Sequence, residues 1–489
     1  MKLSEILNGL SDLKAKGNVD IDIADIACDS RKVKPESLFI AIKGYDVDGH
    51  DYIEEAISKG AAAVLVEDLE KLRHIVLPPD VTFIVTKDTR YALAISACNF
   101  YKNPSRKFKL IGVTGTKGKT TTTYMIKTLL EAQGKKVGLI GTIENYIGED
   151  SLGESDRTTP ESLDLQRMFA QMVEEKVEYV VMEVSSQALK LQRVVGCNFD
   201  VGVFTNFSKE HISKKEHSDM EDYFNSKMKL FSMCQMGFVN IDDFRGARVK
   251  REAKCQVKTY GIDNACDLLA KDITITNIGV DFKAKIGDKN ERVKVDIPGR
   301  FSVYNSLAAI SVAMYYGCNA ELIKTALENI KIPGRSELVP NKKELSIMID
   351  YAHSPESLEN ILQAVKTYTK GRVIVVFGCG GDRDSGKRPI MGEIAGRIAD
   401  YSIVTSDNPR TEEPEKIIAD IEAGISKTKG KYEIIVDRRE AIEKAITMAN
   451  KKDIVILAGK GHEPYQEINK VKYPFDEREI VKEIINNMK

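Results

Sequence analysis

The sequence predicts an α/β protein of about three domains, two of which contain mostly parallel sheets covered by helices. The chain has 489 residues, too many for one hydrophobic core, and roughly 100–200 residues per domain is usual. Apolar, β-branched runs alternate with helical segments along most of it. A glycine-rich turn separates one such strand from the helix that follows, as in phosphate-binding domains.

The stretch 1–104 predicts a small α/β domain. Two strand-like runs, SLFIAI and AAAVLV, flank the helical stretch DYIEEAISKGA. The Asn-Pro-Ser sequence at 103–105 is a turn signal, and we place the first domain boundary there.

A central domain is predicted over 105–333. A buried strand at Leu110–Val113 is followed by the strand-like runs KKVGLIGT, VEYVVMEV and DVGVFTNF, with helical segments among them. This alternation predicts a mostly parallel sheet covered by helices. A polar, β-leaning insertion is expected at about 250–298, followed by a helix that ends at Gly317.

Residues 334–489 predict a second doubly wound, Rossmann-like domain. The IPGRSE sequence marks the boundary before it. Helical segments separate four buried-strand candidates, which are ELSIMIDYA, GRVIVVFG, YSIVTSDN and DIVILAGK.

Composition excludes several classes of protein. Hydrophobic residues make up 42% and charged residues 30% of the chain, as in ordinary globular domains. A net charge of −1 without a basic run argues against nucleic-acid binding. The eight cysteines form no CxxC pair and are expected to be reduced thiols. With neither a signal peptide nor a long apolar window, we expect a cytoplasmic protein without a membrane partner.

The segment GVTGTKGKTTTTYMIKTLL carries the strongest chemical signal. A glycine-rich turn at a helix start directs N–H groups and the helix dipole toward one point, which suits a phosphate. Lys119 can reach the outer phosphates of a nucleotide, and the Thr120 hydroxyl can bind Mg²⁺. Val113 replaces the first glycine of the strict Walker pattern, but the strand and helix around the turn favour phosphate binding over a plain helix start. The predicted nucleotide-binding residues are Gly115, Thr116, Lys117, Gly118, Lys119, Thr120 and Thr121.

A second signal is Glu183, at the end of the hydrophobic strand VEYVVMEV. A carboxylate at the carboxyl edge of a strand beside a phosphate-binding turn lies where Mg²⁺ needs a further contact. The alternative is a solvated loop residue.

Together with further stretches, these segments resemble the Mur ligase family of ATP-dependent, amide-forming enzymes. The similarity covers almost the whole chain in the order of the family's motifs, which makes it specific. The matching stretches are DSRKVKPESLFIAIKGYDVDGHDYI, TGTKGKTTT, MEVSS, TNFSKEH, YFNSKMKLF, GRFSVYN, PGRSE, DYAHSPESLEN, FGCGGDRDSGKRP, TSDNPRTEEP and GKGHEPYQ.

The resemblance implies a three-domain architecture and a reaction. An amino-terminal domain would bind a UDP-linked substrate, a central P-loop domain ATP, and a Rossmann-like domain an amino acid. Within the family the chain resembles ligases that add meso-diaminopimelate to UDP-N-acetylmuramoyl-L-alanyl-D-glutamate in peptidoglycan precursor synthesis. ATP would convert the acceptor carboxylate into an acyl phosphate, which the amine attacks. A monomer is expected.

The family pattern also implies the catalytic residues Lys119, Glu183, His211 and Lys227. Thr120 and Glu183 would hold one Mg²⁺ ion. Lys227 matches a lysine that reacts with CO₂, and the resulting carbamate could bind a second Mg²⁺ ion with His211 as companion ligand. Spacing alone would make Lys227 a solvated helix lysine.

Substrate contacts are carried over in the same way. Asn305 and His353 would contact ATP. The UDP-muramoyl-dipeptide would be contacted by Ser30, Thr158, Thr159, Ser185 and Arg193.

The choice of amino acid is expected to depend on guanidinium groups of the third domain. Diaminopimelate carries a far carboxylate that lysine lacks, and a guanidinium binds carboxylates through two parallel hydrogen bonds. With lysine bound, Arg410 would stay buried and unpaired at a cost of roughly 2–4 kcal/mol; the alternative is a surface arginine at a helix start. Glu463, with the Gly459 carbonyl, could take the distal ammonium. The implied diaminopimelate contacts are Arg383, Asp407, Asn408, Pro409, Arg410, Gly459 and Glu463.

Gln187, Leu191 and Ser302 depart from the usual family residues, and the segment before His217 is longer than usual. These changes cluster around the acceptor and the second metal, so activity on a related acceptor stays open. A lysine-adding sister ligase and a folylpolyglutamate-type enzyme stay open within the family. Outside it, the chain could be a P-loop kinase or NTPase that forms no amide, or a binding protein without catalytic metals.

Overall fold

The structure is a computed structural model that describes residues 1–45, 47–67, 75, 78–155, 157–210, 212–213 and 216–488. Its contacts divide the chain into two compact units. The first comprises Met1–Leu268 and Ala308–Cys318, and the second comprises Leu269–Leu307 and Asn319–Lys489. The predicted domain boundaries at 104 and 333 remain predictions.

The first unit begins with a sheet in the strand order β1-β5-β4-β3-β2, parallel except for β1. Its inner strands form because short apolar runs are buried on both faces, as the sequence predicts. The strands are β1 (Lys14–Lys16), β2 (Asp25–Ala27), β3 (Ser37–Ile40), β4 (Ala61–Val66) and β5 (Thr82–Val85). The helices are α1 (Leu3–Ile6), α2 (Ile53–Ser58) and α3 (Thr89–Phe100).

The larger sheet of the first unit has the order β14-β13-β12-β11-β6-β10-β7-β8-β9. Strand β6 lies between β10 and β11, so the P-loop that follows it sits at the middle of the carboxyl edge. The strands are β6 (Lys109–Thr114), β7 (Val137–Ile140), β8 (Glu144–Ile147), β9 (Asp150–Glu154), β10 (Tyr179–Glu183), β11 (Phe199–Phe204), β12 (Cys234–Asn240), β13 (Gln256–Gly261) and β14 (Leu268–Leu269). The helices are α4 (Lys119–Glu131), α5 (Ser162–Glu174), α6 (Ser186–Lys190), α7 (Met220–Met228) and α8 (Gly246–Glu252).

The predicted insertion at 250–298 begins later than expected. Strand β13 pairs in parallel with β12 and therefore continues the main sheet. Strand β14 also belongs to the main sheet, and the three strands after it form a separate antiparallel sheet, in which buried and exposed residues alternate along the middle strand. These strands and the helices after them are β15 (Lys271–Ile275), β16 (Val280–Ile286), β17 (Lys289–Val295), α9 (Arg300–Tyr315) and α10 (Ala320–Glu328).

The second unit contains the predicted doubly wound sheet, in the order β18-β19-β23-β20-β21-β22 and parallel apart from β18. The four predicted strands correspond to β19, β20, β21 and β23. The strands are β18 (Glu337–Leu338), β19 (Ser346–Asp350), β20 (Val373–Phe377), β21 (Tyr401–Val404), β22 (Tyr432–Ile434) and β23 (Ile454–Ala458), with a hairpin of β24 (Tyr465–Ile468) and β25 (Val471–Pro474). The helices are α11 (Pro355–Lys366), α12 (Lys387–Ile398), α13 (Pro414–Ile425), α14 (Arg438–Met448) and α15 (Glu477–Asn487).

Of the helices within the described ranges, none is both long and apolar enough to span a bilayer.

Candidate functional site

The glycines of the P-loop stand where larger residues do not fit. Gly115 has a φ of 152°, and a Cβ atom there would collide with Oγ1 of Thr205. Gly118 has a φ of 80° and is the N-cap of α4. The backbone therefore makes the tight strand-to-helix turn that the sequence predicts.

Asn206, just after β11, fixes the loop from the neighbouring strand. Its carbonyl accepts the Thr116 N–H and its Oδ1 accepts the Lys117 N–H, both at 2.9 Å. Nζ of Lys117 is buried and has no hydrogen-bond partner among the described residues. A buried amine without an acceptor inside such a loop fits an anionic ligand.

Two lysines converge on one carbonyl of this loop. Nζ of Lys119 lies 3.0 Å and Nζ of Lys227 lies 2.8 Å from the Gly115 carbonyl oxygen. Lys227, on α7, is only 2% exposed, and its amine lies 4.4 Å from the centre of the Tyr223 ring. Burial, and then the charge of Lys119, hold the pKa of the Lys227 amine well below its ordinary value. Lys227 is therefore not the solvated lysine that spacing alone suggests.

Glu183 lies at the level of the P-loop. The parallel register of β10 and β6 places it opposite Val113. Its carboxylate accepts hydrogen bonds from the N–H and the hydroxyl of Thr142 at 2.9 and 3.1 Å. Thr120, in the first turn of α4, is also buried. A carboxylate and a hydroxyl are oxygen ligands of the kind that Mg²⁺ prefers.

The remaining predicted metal ligands are less defined. His211 lies outside the described residues. Within the described part of the chain, no three or more His, Cys, Asp and Glu side chains are grouped so that they could hold a metal ion. Lys227 would fit a cation only as a carbamate, because an ammonium repels it.

A cleft of about 1580 Å³ opens beside the P-loop in the first unit. Lys119 and Lys227 line it, as do the unusual residues Gln187 and Leu191. The residues that line this cleft form what we call the cleft wall. It includes every residue predicted to contact the acceptor, namely Ser30, Thr158, Thr159, Ser185 and Arg193.

Thr159 organises the wall. Its hydroxyl donates to the Glu183 carbonyl at 2.8 Å and accepts the Ser185 N–H at 3.1 Å. Nη1 of Arg193 donates to the Thr159 carbonyl at 3.2 Å. Nε of Arg193 is buried and makes no well-aligned hydrogen bond among the residues described, but it lies 3.4 Å from the Glu161 carboxylate. Hydroxyls and a guanidinium form a surface suited to a substrate with carboxylates.

Side chains of α3 and its N-cap reach the same wall. Nη1 of Arg90 lies 3.7 Å from the Glu161 carboxylate, which also faces Arg193 at 3.4 Å. The carboxylate of Asp88 accepts a hydrogen bond from the Gln192 side chain at 2.6 Å. Polar contacts therefore join the first sheet to the cleft within the first unit.

In the second unit, predicted amino-acid contacts surround a buried lysine. Nζ of Lys460, which is 0% exposed, donates to Oδ1 of Asn408 at 2.9 Å and lies 3.5 Å from the Glu463 carboxylate. Nδ2 of Asn408 donates to Glu463 at 2.7 Å. Burial raises the pKa of Glu463, and the positive charge of Lys460 opposes that rise.

Asp407 is buried in the same cluster. Its carboxylate lies 3.9 Å from Nη1 of Arg438, and a Cβ atom at Gly459 would collide with it. Burial alone would raise the pKa of Asp407, but the charges of Lys460 and Arg438 hold it below its ordinary value. The cluster therefore presents both an amide and a carboxylate anion.

Arg410 differs from its prediction. Its side chain is 21% exposed, its Nε lies 3.0 Å from the Glu467 carboxylate, and its Nη1 donates to the Gly381 carbonyl at 2.8 Å. The expectation of a buried guanidinium that lacks a partner without diaminopimelate was therefore wrong, because the β24–β25 hairpin supplies a carboxylate.

Three further predicted residues belong to the second unit. Arg383 is exposed. Asn305 is buried on α9, and Nδ1 of His353 lies 2.9 Å from the Tyr351 carbonyl oxygen. Both belong to the second unit, whereas the P-loop belongs to the first. Their contact with ATP stays a prediction.

Sequence reasoning missed Lys460, Arg438 and Glu467. Lys460 lies within the GKGHEPYQ stretch directly after a predicted strand, which was an available signal. No sequence signal pointed to Arg438 or Glu467. A charged residue in a helix or hairpin resembles any solvated side chain until its distant partners are known.

Comparison with known proteins identifies the family. A model described as "Mur ligase family, catalytic domain" matches residues 22–101. The "Mur ligase middle domain" matches 113–313, and the "Mur ligase, glutamate ligase domain" matches 334–461. The matches follow one another along the chain, in a three-domain architecture.

Similar proteins and structures agree. A UDP-N-acetylmuramoyl-L-alanyl-D-glutamate--2,6-diaminopimelate ligase of Caldanaerobacter subterraneus is 51% identical over 99% of both chains, and one of Clostridioides difficile is 45% identical over 100% of both. A solved structure of a ligase with this name is 30% identical and has a TM-score of 0.72 over 99% of both chains. A MurF ligase of Thermotoga maritima in complex with ADP shares the fold, with 20% identity and a TM-score of 0.60 over 90% of this chain and 94% of that one. The chain therefore belongs to the Mur ligase family of ATP-dependent ligases.

Proposed function

We propose that the chain joins meso-diaminopimelate to UDP-N-acetylmuramoyl-L-alanyl-D-glutamate through an ATP-dependent amide ligation of peptidoglycan precursor synthesis. The main structural support for this proposal is the cleft of the first unit. Its wall contains Lys119 and Lys227 together with Thr159, Ser185 and Arg193. Full-length relatives whose names state this reaction support the choice of substrates.

The reaction needs several anions to be held together. A carboxylate does not condense with an amine unaided, because its oxygen is a poor leaving group; bound ATP supplies the phosphoryl group that makes it an acyl phosphate. Lys119 and the buried amine of Lys117 would offset phosphate charge. Arg193 and the hydroxyls of the cleft wall would orient the acceptor so that its carboxylate faces the P-loop.

We place one Mg²⁺ ion at Thr120 and Glu183, whose oxygen atoms suit this ion. We further propose that Lys227 carries a carbamate and, with His211, holds a second ion. A neutral amine is the form that adds CO₂, and burial beside Lys119 favours the neutral form. Addition of CO₂ to this neutral amine would release one proton and leave a carbamate anion, which can bind a cation.

The proposal assigns diaminopimelate to the second unit. Glu463 and the Gly459 carbonyl would bind the distal ammonium, and Arg410 the distal carboxylate. The other proposed contacts are Arg383, Asp407, Asn408 and Pro409 for the amino acid and Asn305 and His353 for ATP. The proposal includes a cytoplasmic, monomeric enzyme and domain boundaries near 104 and 333.

Phosphate release from ATP by the purified chain tests the proposal. Release should require both the muramoyl-dipeptide and diaminopimelate, and each should be omitted in turn. Equal rates with lysine would indicate the sister ligase, and activity with a folate acceptor the folylpolyglutamate-type enzyme. Undiminished release without either substrate would overturn the proposal in favour of an NTPase.

A further inference from the structure

We infer that Glu467, on the β24–β25 hairpin, is a positioning residue that sets how Arg410 meets the far carboxylate of the amino-acid substrate. The inference rests on the proposed function of the second unit. Glu467 stands just beyond the GKGHEPYQ stretch, so the motif residues do not include it.

The hairpin first fixes the backbone of Arg410. The Arg410 N–H donates to the Glu467 carbonyl at 3.0 Å, and the Arg410 carbonyl accepts the Asn469 N–H at 2.6 Å. The φ of Arg410 is 52°, a left-handed conformation that a long side chain adopts rarely. Hydrogen bonds on both sides of the residue hold this conformation in place.

The Glu467 carboxylate then orients the guanidinium. A guanidinium carries five N–H donors in a rigid plane. One carboxylate oxygen of Glu467 accepts from Nε at 3.0 Å, and the Gly381 carbonyl accepts from Nη1 at 2.8 Å. Nη2 has no acceptor among the described residues. These two hydrogen bonds fix the orientation of the planar guanidinium. The edge that carries Nη2 therefore points in a defined direction, in which it can bind a ligand carboxylate.

The hairpin is itself anchored to predicted substrate contacts. The Glu467 N–H donates to Oδ1 of Asn408 at 2.9 Å, and the Gln466 side chain donates to the Asp407 carbonyl at 2.7 Å. The same Asn408 donates to Glu463 at 2.7 Å. One network therefore fixes both the acid proposed for the ammonium and the guanidinium proposed for the carboxylate.

This arrangement selects an amino acid whose far end bears an ammonium and a carboxylate on one carbon. Lysine would leave Arg410 paired with Glu467 rather than unpaired. Selectivity would then come from the added binding of the second carboxylate, in the orientation that Glu467 sets, more than from a penalty on lysine.

The test compares full-length Glu467→Ala and Glu467→Gln with wild type and with the control Glu433→Gln, an acid on β22 that accepts from Tyr401 at 3.0 Å. Glu467→Ala should raise KM for diaminopimelate about 10-fold or more and lower the preference over lysine about 10-fold. KM for ATP and for the muramoyl-dipeptide should change less than about 2-fold. Glu467→Gln should recover part of the loss, because its amide oxygen still accepts from Nε.

The outcomes separate this inference from the proposed function. A wild-type enzyme that consumes no diaminopimelate refutes the proposed function. A wild-type enzyme that uses it, together with an unchanged KM in Glu467→Ala, refutes the positioning role alone. If Glu467→Ala lowers the melting temperature and all activities together, the Glu467→Gln variant distinguishes positioning from stability. In that variant, an unchanged KM for diaminopimelate and an unchanged preference over lysine would also refute the positioning role.

Discussion

Replacing Lys227 with methionine is expected to lower the ligation rate about 1000-fold without unfolding the protein. Methionine has nearly the length of lysine but no amine, so it fills the space beside Tyr223. The Gly115 carbonyl keeps a donor in Lys119, which lies 3.0 Å away. Removing the buried amine of Lys227 therefore does not leave the Gly115 carbonyl oxygen without a hydrogen-bond donor.

The magnitude follows from the geometry. The amines of Lys119 and Lys227 can be no more than about 6 Å apart, because they lie 3.0 and 2.8 Å from the same oxygen. Two positive charges at that separation repel by about 3 kcal/mol at an effective dielectric constant of about 20. Burial of Lys227, together with this repulsion, favours the neutral form of its amine, which can become a carbamate. Losing the metal ligand that a carbamate supplies should cost about 4 kcal/mol of transition-state stabilisation, or roughly 1000-fold.

The assay is phosphate release at saturating substrates, with Lys229→Met as matched control. Lys229 lies two positions away and donates to the Leu189 carbonyl at 3.3 Å, so its loss should change the rate less than about 3-fold. Removing dissolved CO₂ and bicarbonate should slow the wild type, and bicarbonate should restore it. A Lys227→Met enzyme that keeps more than about a tenth of the wild-type rate would refute the reasoning.

Three further results are expected. Gly115→Ala should weaken ATP binding in calorimetry at least about 10-fold, because the methyl group collides with Thr205, whereas Gly134→Ala, also at positive φ but with open space around it, should leave binding intact. Arg410→Ala should raise KM for diaminopimelate about 10-fold with KM for ATP unchanged; equal effects on both would contradict the assignment. Burial and nearby arginines lower the pKa of His462 to about 4, so its neutral ring stabilises the fold above pH 6.5, and this contribution is lost as the pH falls toward 4. His462→Gln should therefore flatten the fall of the urea midpoint between pH 7 and 4.5, and an unchanged slope would exclude this role.

The P-loop was predictable because its signal is local. A buried strand, a turn with two glycines and a helix start are contiguous in sequence, and Glu183 follows from the end of the neighbouring strand. The doubly wound sheet of the second unit was predictable for the same reason, since its four apolar runs are strands wherever their neighbours lie.

Other features depend on residues that are distant in sequence. The burial of Lys227 results from the packing of α7 on the P-loop, and spacing alone gave the opposite expectation. The partner of Arg410 is 57 residues away, on a hairpin of charged and polar residues that resembles an ordinary surface segment. The polar composition of β13 led us to predict that it belongs to the insertion. Its parallel pairing with β12 instead makes it a strand of the main sheet.

The contacts of Asp88 with Gln192 and of Arg90 with Glu161 bear on how enzymes of this type can be recombined. A chimaera that takes its first hundred or so residues from a relative would set a foreign α3 against an unchanged cleft. The residues at positions 161 and 192 would then face an α3 whose polar side chains evolved with other partners. Functional hybrids should therefore require the donor's residues at 161 and 192 to travel with its α3, so that these distant segments are inherited as one unit.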